Sequence, residues 1–144
     1  MRSILTRVTM ENLAELQKFM STDMPPEFDS YTPKLQLVLE EFLVNIFNYA
    51  YSGSPGPLEV QRRLVNFDGE PHISVLVRDW GPAFDPFIDS PPPDLSSPVE
   101  DRPIGGLGVH LVKSLATHYS YIRVNEANTL EIWFRQPTPS AAKV

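Results

Sequence analysis

Residues 37–51 read "LVLEEFLVNIFNYAY". Leu35, Leu39, Phe42, Ile46 and Ala50 recur at helical spacing, and Val38, Leu43 and Phe47 widen that stripe. The pattern predicts a helix from Pro33 to about Tyr51, buried on most sides. Glu41 and Asn45 are four residues apart and therefore share a face. Asn48 continues roughly along it, whereas Glu40 is turned about 100° away, toward solvent. Burying a carboxylate and a carboxamide without partners costs on the order of a few kcal/mol. Two readings follow. The pair bonds to itself or to loop backbone, or it forms a site in which asparagine offers a hard oxygen to Mg²⁺ and glutamate accepts a proton.

Working outward, "SILTRVTM" alternates apolar and polar residues and predicts a first strand. Glu11 and Asn12 lead into "LAELQKFM", a helix that "STDMPPEFDSYTP" breaks. After the loop "SGSPGP", the runs "LEVQRRLVNF" and "HISVLVRD" flank "DGEP" as a hairpin. Residues 80–103 hold seven of the fifteen prolines and show no clean period, which predicts a long surface loop. A third helix is expected over Leu107–Thr117. "YSYIRVNE" and "TLEIWFRQ" then form a last hairpin turning at Ala127 and Asn128. The order β-α-α-β-β-loop-α-β-β predicts an α+β two-layer sandwich: a mostly antiparallel, mixed sheet covered on one face by about three helices. One domain over 1–136 and a flexible tail over 137–144 are expected.

Two further clusters carry polar or glycine signals. Asp79 ends an apolar strand run in "DWGPAFDP", with Gly81 two residues on. It either caps the turn at Gly81 or accepts a hydrogen bond from a ligand's amino group. "IGGLGVHLV", residues 104–112, opens a helix with Gly105, Gly106 and Gly108. Those glycines make a sharp turn, or they let backbone N–H groups approach phosphate at a helix N-terminus.

The bulk numbers narrow the function classes. A net charge of -6 and a pI near 5.0 argue against nucleic acid or an anionic membrane as the main partner. The absence of cysteine fits a reducing compartment. "MRSILTRVTM" lacks a signal-peptide apolar run, and no stretch of about 18 apolar residues exists to span a membrane. A cytoplasmic location is the expectation. There is no GxxxxGK[ST], no metal-ligand spacing among His72, His110 and His118, and no GxSxG elbow.

"EFLVNIFNYAY", "DWGPAFDP" and "GGLGVHLV", in that order, resemble the N box and the two glycine boxes of the GHKL superfamily ATP-binding domain. The likeness covers about residues 4–135. It is best to the small serine kinases that act as bacterial anti-sigma factors. The resemblance implies Mg-ATP as cofactor, with Asn45 on the metal and Glu41 as general base toward a protein hydroxyl. Asp79 would accept from the adenine amino group, with Gly81 and Ala83 beside the base. Gly105, Gly106, Leu107 and Gly108 would present backbone to the phosphates. The loop from about Phe87 to Pro103 corresponds to the ATP lid. Arg102, at its far end, pairs with the terminal phosphate or is simply an exposed lid charge. Thr129 is a candidate for bonding near the adenine-binding carboxylate. Ala83 stands where many relatives have the second glycine of DxGxG, and Tyr49 where these kinases often have histidine. The implied partners are a small STAS-type anti-anti-sigma protein as substrate, a sigma factor or other regulatory protein, and a second copy in a homodimer.

Overall fold

A computed structural model describes residues 2–89 and 106–137. Strand β1 (Arg2–Val8) is followed by helices α1 (Leu13–Ser21) and α2 (Thr32–Asn45), the second continued by a π-helical turn over Ile46–Ala50. Strands β2 (Gly56–Phe67) and β3 (Glu70–Asp79) form a hairpin. A short helix α3 (Pro86–Asp89), helix α4 (Gly106–Leu115) and the hairpin β4 (His118–Val124) with β5 (Ala127–Arg135) complete the order.

The sheet runs β1-β2-β3-β5-β4. Every pairing among the described strands is antiparallel, not mixed. The path of the chain explains this. Two helix passes between β1 and β2 return it to the end where β1 stopped, so Val8 faces Gly56. One pass of α4 makes β4 run parallel to β3, but β5 folds into the gap between them and meets both antiparallel.

The helices pack one face of the sheet. Leu58, Val60, Ile73, Val75, Val77, Leu130, Ile132 and Phe134 meet Leu16, Met20, Leu39, Phe42, Val109 and Val112 in a single core. Arg62 is also turned inward, where its guanidinium donates to the carbonyls of Met20 (2.6 Å), Thr22 (2.8 Å) and Asp23 (3.1 Å). These bonds satisfy carbonyls at the end of α1, which the helix itself leaves open. On the opposite face, ion pairs Arg63–Glu131 and Arg78–Glu59 alternate with apolar side chains.

Both hairpins close with two residues at positive φ: Asp68 and Gly69 (54° and 76°), then Asn125 and Glu126 (50° and 65°). Such turns match the right-handed twist of the strands. The second turn therefore lies two residues earlier than Ala127 and Asn128, both of which are buried in β5. The third helix ends at Leu115, because Thr117 already donates to the Trp133 carbonyl at 2.8 Å.

Candidate functional site

Helix α2 runs toward the end of the sheet that carries Asp79. It starts where the Tyr31 hydroxyl donates to the Arg135 carbonyl (2.7 Å), and it ends where Ala50 touches Gly81. Along it, Asn45 is 2% exposed. Neither its Oδ1 nor its Nδ2 has a hydrogen-bond partner among the described residues, and the same holds for the buried Oε2 of Glu41. Among the described residues the pair bonds neither to itself nor to loop backbone. Native interiors rarely leave such groups unmet, since each costs about 1–3 kcal/mol. Burial lifts the Glu41 carboxyl above its ordinary pKa, and neighbouring Glu40 adds to the shift.

The π-helical turn follows directly. Tyr51 N–H donates to the Ile46 carbonyl at 3.0 Å, five residues back. This wider turn swings Ala50 against Gly81 and stacks exposed Tyr49 on Phe84 at 5.1 Å. A Cβ on Gly81 would sit 2.6 Å from the Ala50 carbonyl oxygen. The missing side chain thus makes room for helix backbone, a use the sequence did not suggest. Gly81→Ala is expected to destabilise the protein by about 2 kcal/mol, because the clash is with backbone that cannot rotate away. A lower urea midpoint at constant slope would show it; an unchanged midpoint would contradict the contact.

Asp79 is 2% exposed. Its Oδ1 accepts from Gly81 N–H and from Asn128 Nδ2, both at 2.9 Å. Its Oδ2 accepts no hydrogen bond from the described residues, which leaves one carboxylate oxygen for a ligand. Asp79 therefore caps the turn and still retains an acceptor. Burial raises its pKa, against the lowering effects of Asn128, Gly81 and Arg123. Asn128 in turn is fixed on all sides. Its Oδ1 accepts from Tyr121 O–H (2.5 Å), Arg123 Nη1 (3.0 Å) and Phe84 N–H (3.3 Å), and its Nδ2 also donates to the Pro82 carbonyl at 2.9 Å.

Thr129 does not share that network. In β5 it points to the opposite face, where its Oγ1 accepts from Arg78 Nε at 3.2 Å. The residue beside the carboxylate is Asn128, directly opposite Asp79 in register. The misplaced hairpin turn hid this pairing; counting back from the two apolar strand patterns would have found it. Ala83 is exposed and its methyl group fills no packed position.

Helix α4 begins at Gly106, so Gly106, Leu107 and Gly108 form its first turn, whose N–H groups have no acceptor within the helix. Its end feeds β4 beside Trp133. Ten residues of helix rise about 15 Å, close to the roughly 17 Å that separates Trp133 from Asn128 along a strand. The start of α4 therefore lies at the Asp79 end, where α2 also finishes. Gly105 and Arg102 lie outside the described residues, as does most of the 87–103 segment. The Asp79 end of the sheet thus gathers a buried acid with one open oxygen and a helix N-terminus, while Asn45 stands five and Glu41 nine residues back along α2 from Ala50.

The sequence model of the histidine kinase-like ATPase domain matches residues 5–134. The chain belongs to that family. A comparison with curated proteins returned no match. The histidine kinase-like ATPase domain is an ATP-binding fold of the GHKL type, and the five-stranded antiparallel sheet with helices on one face agrees with it. Within this domain the residues present fit a nucleotide and a metal. The orphaned Asn45 oxygen suits a hard cation, and the open Asp79 oxygen suits an amino group. Among the described residues no cluster of three His, Cys, Asp or Glu side chains could hold a metal by itself. A metal at Asn45 would take its remaining ligands from water or from phosphate oxygens. No described helix is long and apolar enough to cross a membrane.

Proposed function

We propose that this domain is a serine/threonine protein kinase and anti-sigma factor of a partner-switching system. It uses Mg-ATP to phosphorylate a small STAS-type anti-anti-sigma protein and otherwise holds a sigma factor or similar regulator. The single observation carrying this reading is that, on α2, both amide atoms of buried Asn45 and the Oε2 of half-buried Glu41 meet no partner among the described residues.

In this reading each side chain has one task. Asn45 holds Mg²⁺ through Oδ1, and Asp79 accepts from the adenine amino group through Oδ2. The first turn of α4 offers N–H groups to the phosphates. Bound Mg²⁺ supplies charge neutralisation on the phosphate oxygens. Glu41, with its raised pKa, takes the proton from the substrate hydroxyl. The hydroxyl oxygen bonds to the γ-phosphorus as the bond from phosphorus to the β,γ-bridging oxygen breaks, and ADP leaves. The product carries roughly two added negative charges. Repulsion from a protein of net charge -6 then favours its release. The protein works in the cytoplasm, as a homodimer.

The test is incubation with γ-labelled ATP, Mg²⁺ and STAS-type proteins encoded beside the gene. Label on a partner serine or threonine is expected. ATP binding without transfer to any such partner would favour a non-catalytic, nucleotide-responsive module that sequesters its partner.

A further inference from the structure

Two contacts join the end of α2 to the end of β3. One is Ala50 against Gly81. The other is the phenol of Tyr51. The ladder between β2 and β3 ends at the pair Leu58–Asp79. Beyond it, Pro57 and Trp80 do not bond directly. The Tyr51 hydroxyl stands between them, accepting from Trp80 N–H at 2.9 Å and donating to the Pro57 carbonyl at 2.6 Å. Its ring rests on Gly56, where a Cβ would fall 2.5 Å from the ring atoms. A side chain from the helix is thus spliced into the strand ladder at the residue after Asp79. Burial raises the Tyr51 pKa above its ordinary value, the Trp80 bond lowers it, and the Asp79 charge raises it again. The hydroxyl accordingly keeps its proton at neutral pH and can donate and accept at once.

We infer that Tyr51 is a positioning residue for base recognition: its hydroxyl sets the backbone of Trp80 and hence the Asp79 carboxylate at a fixed place relative to Asn45. Asn128 orients the Asp79 side chain, while Tyr51 fixes the main chain that carries it. Asn45 lies six residues before Tyr51 on the same helical segment. One phenol therefore couples the two ends of the nucleotide site. The inference rests on the ATP-binding reading given above.

The test is Tyr51→Phe in the full chain, with Tyr31→Phe as a matched control. Tyr31 also spends its hydroxyl on a backbone carbonyl, that of Arg135, at the other end of the sheet. Amide exchange at Trp80 and Gly81 should quicken in nucleotide-free Tyr51→Phe and stay unchanged in Tyr31→Phe. ATP affinity should fall about 5–10-fold in Tyr51→Phe, the size of one lost hydrogen bond, and the preference for ATP over GTP should shrink with it. Tyr31→Phe should keep both within about two-fold. Unchanged exchange, unchanged ATP affinity, or an equal loss for ATP and GTP would each overturn the positioning role. Wild-type protein that fails to bind ATP would overturn the ATP-binding reading and this role together. Wild-type binding with an unaltered variant would overturn only the role of Tyr51.

Discussion

Replacing Asn45 by alanine is expected to lower Mg-dependent ATP affinity by about 100-fold or more, while the fold survives. The size follows from the part assigned to the carboxamide. Even partners that merely orient a metal ligand are worth about 10–100-fold, and Asn45 would be a ligand itself. Survival of the fold follows from its isolation. Its Oδ1 and Nδ2 bond to no described residue, so alanine breaks no hydrogen bond among those residues and removes a buried polar group without a partner there. The small space left behind works the other way and offsets part of that gain. Thermal unfolding without nucleotide should therefore change little, whereas the rise in midpoint that Mg-ATP gives the wild type should vanish. Affinity within a few-fold of wild type would remove Asn45 from the metal.

Glu41→Gln separates binding from chemistry. Loss of a general base costs about 10²–10⁴-fold in transfer rate, and ATP affinity should stay within about three-fold because the carboxylate does not hold the nucleotide. The same substitution has a second signature. In the folded protein the Glu41 pKa lies above its unfolded value, burial being the larger cause and Glu40 the smaller. The fold therefore disfavours the ionised form. That penalty is absent below the ordinary carboxylate range near pH 4, grows as pH rises toward the folded pKa, and then stays constant. Glutamine never ionises. Tm should be higher in Glu41→Gln at pH 7, by an amount corresponding to about 1 kcal/mol or less for a half-buried group. The difference should close as pH falls through about 4. Wild-type transfer rates in the variant would dismiss Glu41 as base; a Tm gain that persists at low pH would dismiss the buried charge as its cause.

Much of the architecture was legible because it rests on periodicity. The stripe from Leu35 to Ala50 predicted α2, alternation predicted β1, and strand-like runs flanking turn residues predicted the two hairpins. The polar intruders Glu41, Asn45 and Asp79 stood out against apolar surroundings, and α2, which carries the first two, ends where Ala50 meets Gly81 beside Asp79. What escaped depended on geometry that local composition does not encode. Asparagine tolerates positive φ as readily as a turn requires, yet "NEAN" holds two asparagines, and only the pairing of β5 with β3 decides between them. That choice moved Thr129 to the far face and put Asn128 on Asp79. The π-helical turn has no composition signal either. It goes with the packing of Ala50 on Gly81, a contact between segments about thirty residues apart in sequence. Helix α3 is held by Asp85, whose Oδ1 accepts from Phe87 N–H at 2.9 Å, and by Phe87 against Tyr119 at 4.7 Å. Four residues are too few to show a period.

In the proposed function, α2, the end of β3 and the start of α4 build one cradle for ATP, with magnesium held at Asn45. Calorimetric titration of the wild-type chain with ATP, in Mg²⁺ and again in EDTA, tests it most directly. One nucleotide per chain, bound in Mg²⁺ and much more weakly in EDTA, is the predicted result. No heat under either condition would contradict it.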